Sequence, residues 1–155
     1  IRGRSHEGTR AVSLLAILGA SRNVVAGVTG IVSAYKLVPE KPPAANKLPA
    51  AIQQPIEGEI VWATSQEHIT HRWYLDILVS REGDNQTEQA TSLALLPLVI
   101  AAYRTEMTLG LGADGVRNCR PLSYEIVTLS IWQETFNAVR ILMQAEEKYG
   151  VTLSA

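Results

Sequence analysis

Cysteine is almost absent from this sequence: 155 residues carry only Cys119. One thiol cannot close an intramolecular disulfide, which excludes a small secreted scaffold held together by disulfides. An excess of either charge is also missing, since 14 Lys+Arg stand against 15 Asp+Glu for a net charge of −1. A surface that grips nucleic acid by neutralising many phosphates needs a basic excess, so general nucleic-acid binding is disfavoured. Long apolar runs are lacking too. The stretch 11–20 (AVSLLAILGA) falls well short of the roughly 20 residues that span a bilayer. Low-complexity tracts are scarce while 46% of the residues are hydrophobic, which gives the chain the material for a folded core. Its length suits one domain, 1–155, and is too short for two independent ones.

Motifs that announce chemistry are likewise few. There is no G-x-S-x-G, no H-E-x-x-H and no P-loop. The glycines of Gly110-Leu111-Gly112-Ala113-Asp114-Gly115 follow a helical pattern and precede a strand. A phosphate-binding turn needs the opposite order, so that helical N–H groups face the anion, and these glycines read as a connector. The histidines are His6, His68 and His71. Two residues three apart on a strand point to opposite faces, so His68 and His71 would not share an ion, and no metal site is expected. Arg117 and Arg120 flank Cys119 and could lower its pKa, but no histidine lies nearby in sequence to act as base. No catalytic residue, cofactor or metal is therefore assigned, and an enzyme is the minority reading.

What the chain does have is pattern. Basic Arg2 and Arg4 before the apolar run superficially look like a leader. The spacing of Val12, Leu15 and Leu18 instead predicts an amphipathic helix over 5–21, ending at Ser21-Arg22-Asn23. A short strand follows around 31–35. Four of the seven prolines fall in 37–49 (LVPEKPPAANKLP), which predicts an extended surface loop. Short strands are expected at 50–54 and 57–63, a polar hairpin tip at 64–70, and a clear strand at 71–79. In that strand Trp73, Leu75, Ile77 and Val79 alternate with Arg72, Tyr74 and Asp76. A turn at 81–85 leads into a central helix over about 86–106, with Leu93, Leu96, Ile100 and Tyr103 on one face and a kink or break near Pro97. A strand at 115–126 and a turn at 128–133 come next. For 134–145, helical and strand periodicities compete, and sequence physics leaves both open.

Taken in order, three stretches resemble the tail-terminator (tail-completion) proteins of long-tailed bacteriophages. The first is Ala34-Tyr35-Lys36-Leu37-Val38-Pro39 with Leu48-Pro49-Ala50-Ala51-Ile52. It is similar to an opening strand, a proline-bearing loop and a second strand. The second, 93–110 (LALLPLVIAAYRTEMTLG) then Asp114-Gly115-Val116-Arg117, resembles a helix ending in a "-TLGG-" connector and a D-G-V-R strand. The third, 124–148, includes Glu134-Thr135-Phe136-Asn137-Ala138-Val139-Arg140-Ile141 and is similar to the family's final strands. Two departures stand out: Ser130-Ile131-Trp132 occupies a turn where the family often has glycines, and the N-terminal helix has no counterpart.

The resemblance implies an α+β domain in which an N-terminal and a central helix pack on a small antiparallel or mixed sheet, with 134–145 as strand. It also implies a non-catalytic virion protein, assembled in the host cytoplasm. As the resemblance implies, six copies of such a protein form a ring that caps the tail tube, stops its polymerisation and joins the tail to the neck. One face would meet the tube protein and the other the neck or connector protein, while DNA passes through the lumen without specific binding and no membrane is involved. Partner contacts are expected at the hairpin tip (Gln66, Glu67, His68), the proline-rich loop (Pro42, Lys47) and Trp132. Glu57, Glu59, Glu67 and Asp84 are the candidates for the lumen. The alternatives are another head–tail connector (head-completion) protein, a cytoplasmic enzyme or ligand-binding α+β domain using Cys119 or the histidines, and a secreted protein with a cleaved leader.

Overall fold

The computed structural model of the chain describes residues 13–62, 66–81 and 86–150. It is an α+β domain with a five-stranded mixed sheet and two helices. In chain order come α1 (Leu14–Ala26), β1 (Ser33–Ala34), β2 (Ala50–Trp62), β3 (Gln66–Arg81), α2 (Gln86–Thr105), β4 (Val116–Ile131) and β5 (Glu134–Gly150). The sheet order is β1-β2-β3-β5-β4, with only the short β1 parallel to its neighbour.

The alternation expected in β3 sets the two faces of the sheet. Trp73, Leu75, Ile77 and Val79 turn one way and meet Val139, Ile141 and Met143 of β5, under Ile17 and Leu18 of α1 and Leu95, Val99 and Tyr103 of α2. Burying each large side chain there is worth about 1.5–3 kcal/mol. Polar groups inside this core are paired. The Trp73 indole donates to Gln53 Oε1 at 3.1 Å, and the Gln53 amide donates to the Leu18 carbonyl at 2.8 Å. Tyr103 donates to the Ser21 carbonyl at 3.0 Å and lies 2.6 Å from the Ser21 hydroxyl. Burial drives the Tyr103 phenol well above its usual range, so it remains a neutral donor.

The opposite face carries a smaller cluster of Ile52, Leu78, Phe136 and Ala138. The proline-rich loop crosses it, held where the Trp132 indole donates to the Pro39 carbonyl at 2.8 Å. Trp132 meets Phe136 edge-on at 5.8 Å.

Several boundaries differ from expectation. Residues 5–12 of the expected first helix lie outside the described residues; α1 is capped where the Ser13 hydroxyl accepts the Ala16 N–H, and it runs through Ser21-Arg22-Asn23 to Ala26. Ser21 does not end it because the hydroxyl is spent on Tyr103 rather than on a local turn. The expected strand at 31–35 is reduced to two residues. The two short strands at 50–54 and 57–63 are one strand, β2, bulged between Pro55 and Glu57. Strand β3 starts at Gln66, so most of the expected hairpin tip is paired backbone. The central helix runs unbroken past Pro97, which lies on its exposed side. Strand β4 continues to Ile131, which shortens the turn expected at 128–133 to Trp132 and Gln133. The 134–145 conflict resolves as strand, with β5 paired along its length to both β3 and β4.

Candidate interaction surfaces

Strand β2 touches β1 only at Ala50 and Ala51. From Ile52 to Trp62 it is therefore an outer edge of the sheet. Its far half is open to solvent and carries apolar side chains, with Ile60 59% and Trp62 67% exposed beside Ile56 and Val61. Trp62, which composition alone leaves undecided between core and contact, is thus a surface side chain. Glu57 and Glu59 stand exposed on the face without helices. Glu57 lies 3.6 Å from Arg72 of the neighbouring strand.

The other outer edge is β4. Leu122, Tyr124 and Ile126 are exposed along it. A hollow of about 130 Å³ opens between α2 and the strand, lined by Leu96, Ile100, Leu122, Tyr124 and Ile141. Two long open edges invite indiscriminate strand pairing. Each is blunted by a proline and a bulge, at Pro55 on β2 and Pro121 on β4.

No model of a known protein family matches the chain, and no curated protein does. The surface has to be read from its own chemistry.

Of the residues expected to contact partners, Gln66 and Lys47 are exposed and Pro42 is half-buried. His68 is partly exposed, with Nε2 3.2 Å from Glu146 Oε1. Glu67 departs from expectation both as a contact and as a lumen residue, being only 7% exposed. It belongs to paired β3 rather than to a loop and turns to the helix side, as the strand's alternation dictates. Trp132 is half-buried, with its N–H and ring engaged within the chain as a clasp on the proline-rich loop. Asp84 lies outside the described residues. Sequence reasoning missed Ile60, Tyr124 and Ile126. A signal existed at 60–62, where Ile-Val-Trp breaks alternation and places apolar side chains on both faces of an edge strand.

The histidines take opposite faces, as their spacing requires. His68 meets Glu146, while His71 Nε2 lies 3.0 Å from Glu147 Oε1 on the helix side. Among the described residues, no three His, Cys, Asp or Glu gather as metal ligands, and no helix is long and apolar enough to cross a membrane. An open groove of about 660 Å³ between α1 and α2 is lined largely by small side chains such as Ala20, Gly27, Ala101 and Ala102.

Cys119 reverses the expectation that its arginine neighbours lower the pKa. Burial pushes the thiol up from 9.0 to about 12, and Arg120 offsets only part of that rise. The thiolate, the reactive species, is scarce in the folded protein. At pH 8 a maleimide should label native Cys119 about a thousandfold more slowly than the unfolded chain. Fast, saturable labelling of the native protein would instead favour the enzyme reading.

Proposed function

We propose that this protein is an assembly subunit, and that its assembly is the ring which ends the tail tube of a long-tailed phage and joins it to the neck. One observation carries the assembly reading: two long sheet edges lie open on opposite sides of a single domain, and both present exposed apolar side chains, Ile60 and Trp62 on one, Tyr124 and Ile126 on the other. Opposite edges that are both apolar suit a subunit with a neighbour on each side, as a head-to-tail ring requires. The tail assignment rests on the order of the stretches that resemble the tail-terminator family. The third of these, 124–148, is strand in this fold, as that resemblance implies.

In such a ring the protein performs no covalent chemistry. It offers the last tube ring a surface that mimics another tube subunit, and offers the neck a surface that does not. The near-neutral charge suits a passage through which DNA slides without being held.

Electron microscopy of the phage that carries this gene, with the gene deleted, tests the reading. Abnormally long, headless tubes are expected. Tails of normal length beside separate filled heads would move the protein to the head-completion step. Normal infectious particles would remove it from the virion altogether.

A further inference from the structure

The register of the sheet places opposite charges at matching heights on its two outer edges. In one row Glu57 of β2 aligns through Arg72 and Gln144 with Arg120 of β4. In the next, Glu59 aligns through Thr70 and Glu146 with Arg117. Alternation puts Glu57 and Glu59 on the face without helices, and the bulge between Arg117 and Arg120 brings both arginines to that same face. A further row pairs Pro55 with Pro121 across Trp73 and Met143. Beside each proline the strand bulges, leaving Ile56 45% and Leu122 43% exposed. From the proline row toward the β2–β3 hairpin, the β2 edge is thus apolar at Ile56, acidic at Glu57 and Glu59, and apolar again from Ile60 to Trp62, while the β4 edge is apolar at Leu122 and basic at Arg120 and Arg117.

Within the chain, this charge is only partly satisfied. Glu57 meets Arg72, and Arg120 lies 3.6 Å from Glu146. Glu59 and Arg117 have no ion-pair or hydrogen-bond partner among the described residues, and they end the same row.

The geometry points to a second copy of this chain as the partner: the β2 edge of one subunit docks on the β4 edge of the next, Glu57 and Glu59 facing Arg120 and Arg117, with Ile56 beside Leu122. The two edge strands run antiparallel to each other, because three antiparallel steps separate them. A rotation about an axis along the strands therefore brings them together antiparallel, at one height and on one face. Repeating that rotation without translation gives a ring when the rotation divides the full circle evenly, the condition a heterologous interface must meet to close. Pro55 and Pro121 limit continuous backbone pairing, so side chains supply most of the selectivity. Glu57 and Glu59 then belong to the subunit interface rather than to the lumen. This inference deepens the ring reading by naming its contact, though it stands or falls on self-association alone.

The test uses Glu59→Arg and Arg117→Glu, two exposed positions without internal partners, so unchanged circular dichroism and melting are expected of both. Sedimentation velocity of the wild-type chain, carried to millimolar concentration, should show head-to-tail oligomers. Each single reversal should weaken association by roughly tenfold or more, the scale of a like-charge contact at an interface. Mixing the two variants should restore assembly, because each then offers the edge the other lacks. A wild-type chain that stays monomeric overturns the proposal. So does unaltered association of either variant, or a mixture no better than its parts. DNA or an unrelated protein that competes for these edges without self-association would likewise overturn it. Normal tails in the deletion phage together with charge-dependent oligomers would remove the tail reading and leave this interface standing. Elongated tails with a monomeric chain would do the reverse.

Discussion

Replacing Gly115 with alanine should cost about 2–5 kcal/mol of folding stability, the sum of a backbone penalty and a steric one. Gly115 sits at φ 89°, ψ 6°, between a short 3-10 turn and the start of β4. An L-residue held in left-handed geometry is disfavoured by about 1–2 kcal/mol. The added Cβ would also run into the backbone carbonyl of Lys148. That carbonyl belongs to the segment of β5 whose N–H donates to the Gly115 carbonyl at 3.0 Å. Neither strand can move aside without loosening the β4–β5 pairing next to Arg117. Gly110 provides the control. Its φ is 73°, yet nothing lies within 4 Å of where a Cβ would stand. Gly110→Ala should therefore carry only the backbone part, about 1–2 kcal/mol. Urea midpoints at constant m-value measure both losses. Equal losses would mean that the strands yield to the methyl group and that the close approach imposes no constraint.

The connector that contains these glycines was legible before any coordinates, because glycines after a helix and before a strand have few other uses. So was β3, where Trp73, Leu75 and Ile77 alternate with Arg72, Tyr74 and Asp76. What the sequence concealed lies mainly at the strand ends. The hairpin between β4 and β5 turns on Trp132 and Gln133, with φ of 56° and 63°. Such a two-residue turn normally advertises itself through Asn-Gly or Asp-Gly. Here that signal is missing, and the bonds of the Trp132 ring to Pro39 and Phe136 hold the strained turn from outside. Polar residues at 66–70 suggested a loop because strand pairing satisfies backbone groups whatever the side chains are. The open edges were harder still to foresee. A residue such as Ile126 looks the same in sequence whether its strand is central or outermost, and only the order β1-β2-β3-β5-β4 decides which it is. The complementary rows of charge depend on bulges that no periodicity reveals.

Arg140→Met should destabilise the fold by about 3–5 kcal/mol, whereas Asp76→Leu combined with Arg140→Met should cost markedly less. Asp76 has no exposed surface although it lies on the face without helices. Arg140 seals it, donating from Nε to Oδ1 at 2.8 Å and from Nη2 to Oδ2 at 3.0 Å. Gln54 adds a third bond at 2.7 Å. The guanidinium also stacks over the Tyr74 ring, 4.1 Å from its centroid. Removing only the arginine leaves a buried carboxylate with a single amide donor, and desolvation without compensation is what makes half of such a pair expensive. Asp76→Ala should be milder, about 1–3 kcal/mol, because Arg140 is 22% exposed and its freed charge can reach water. Removing both charges abolishes the debt along with the attraction. The hydrogen bonds that Arg140 donates to Asp76 raise its pKa above the ordinary value, against an opposing effect of burial. For a cation, a raised folded-state value contributes stability that is fully present below the unfolded value and lost only above it. Across the working range of pH the arginine therefore stays attached, and only mutation separates the pair. A loss under about 1 kcal/mol in Arg140→Met would show that solvent reaches Asp76 and that the bidentate pair contributes little to holding β3 against β5.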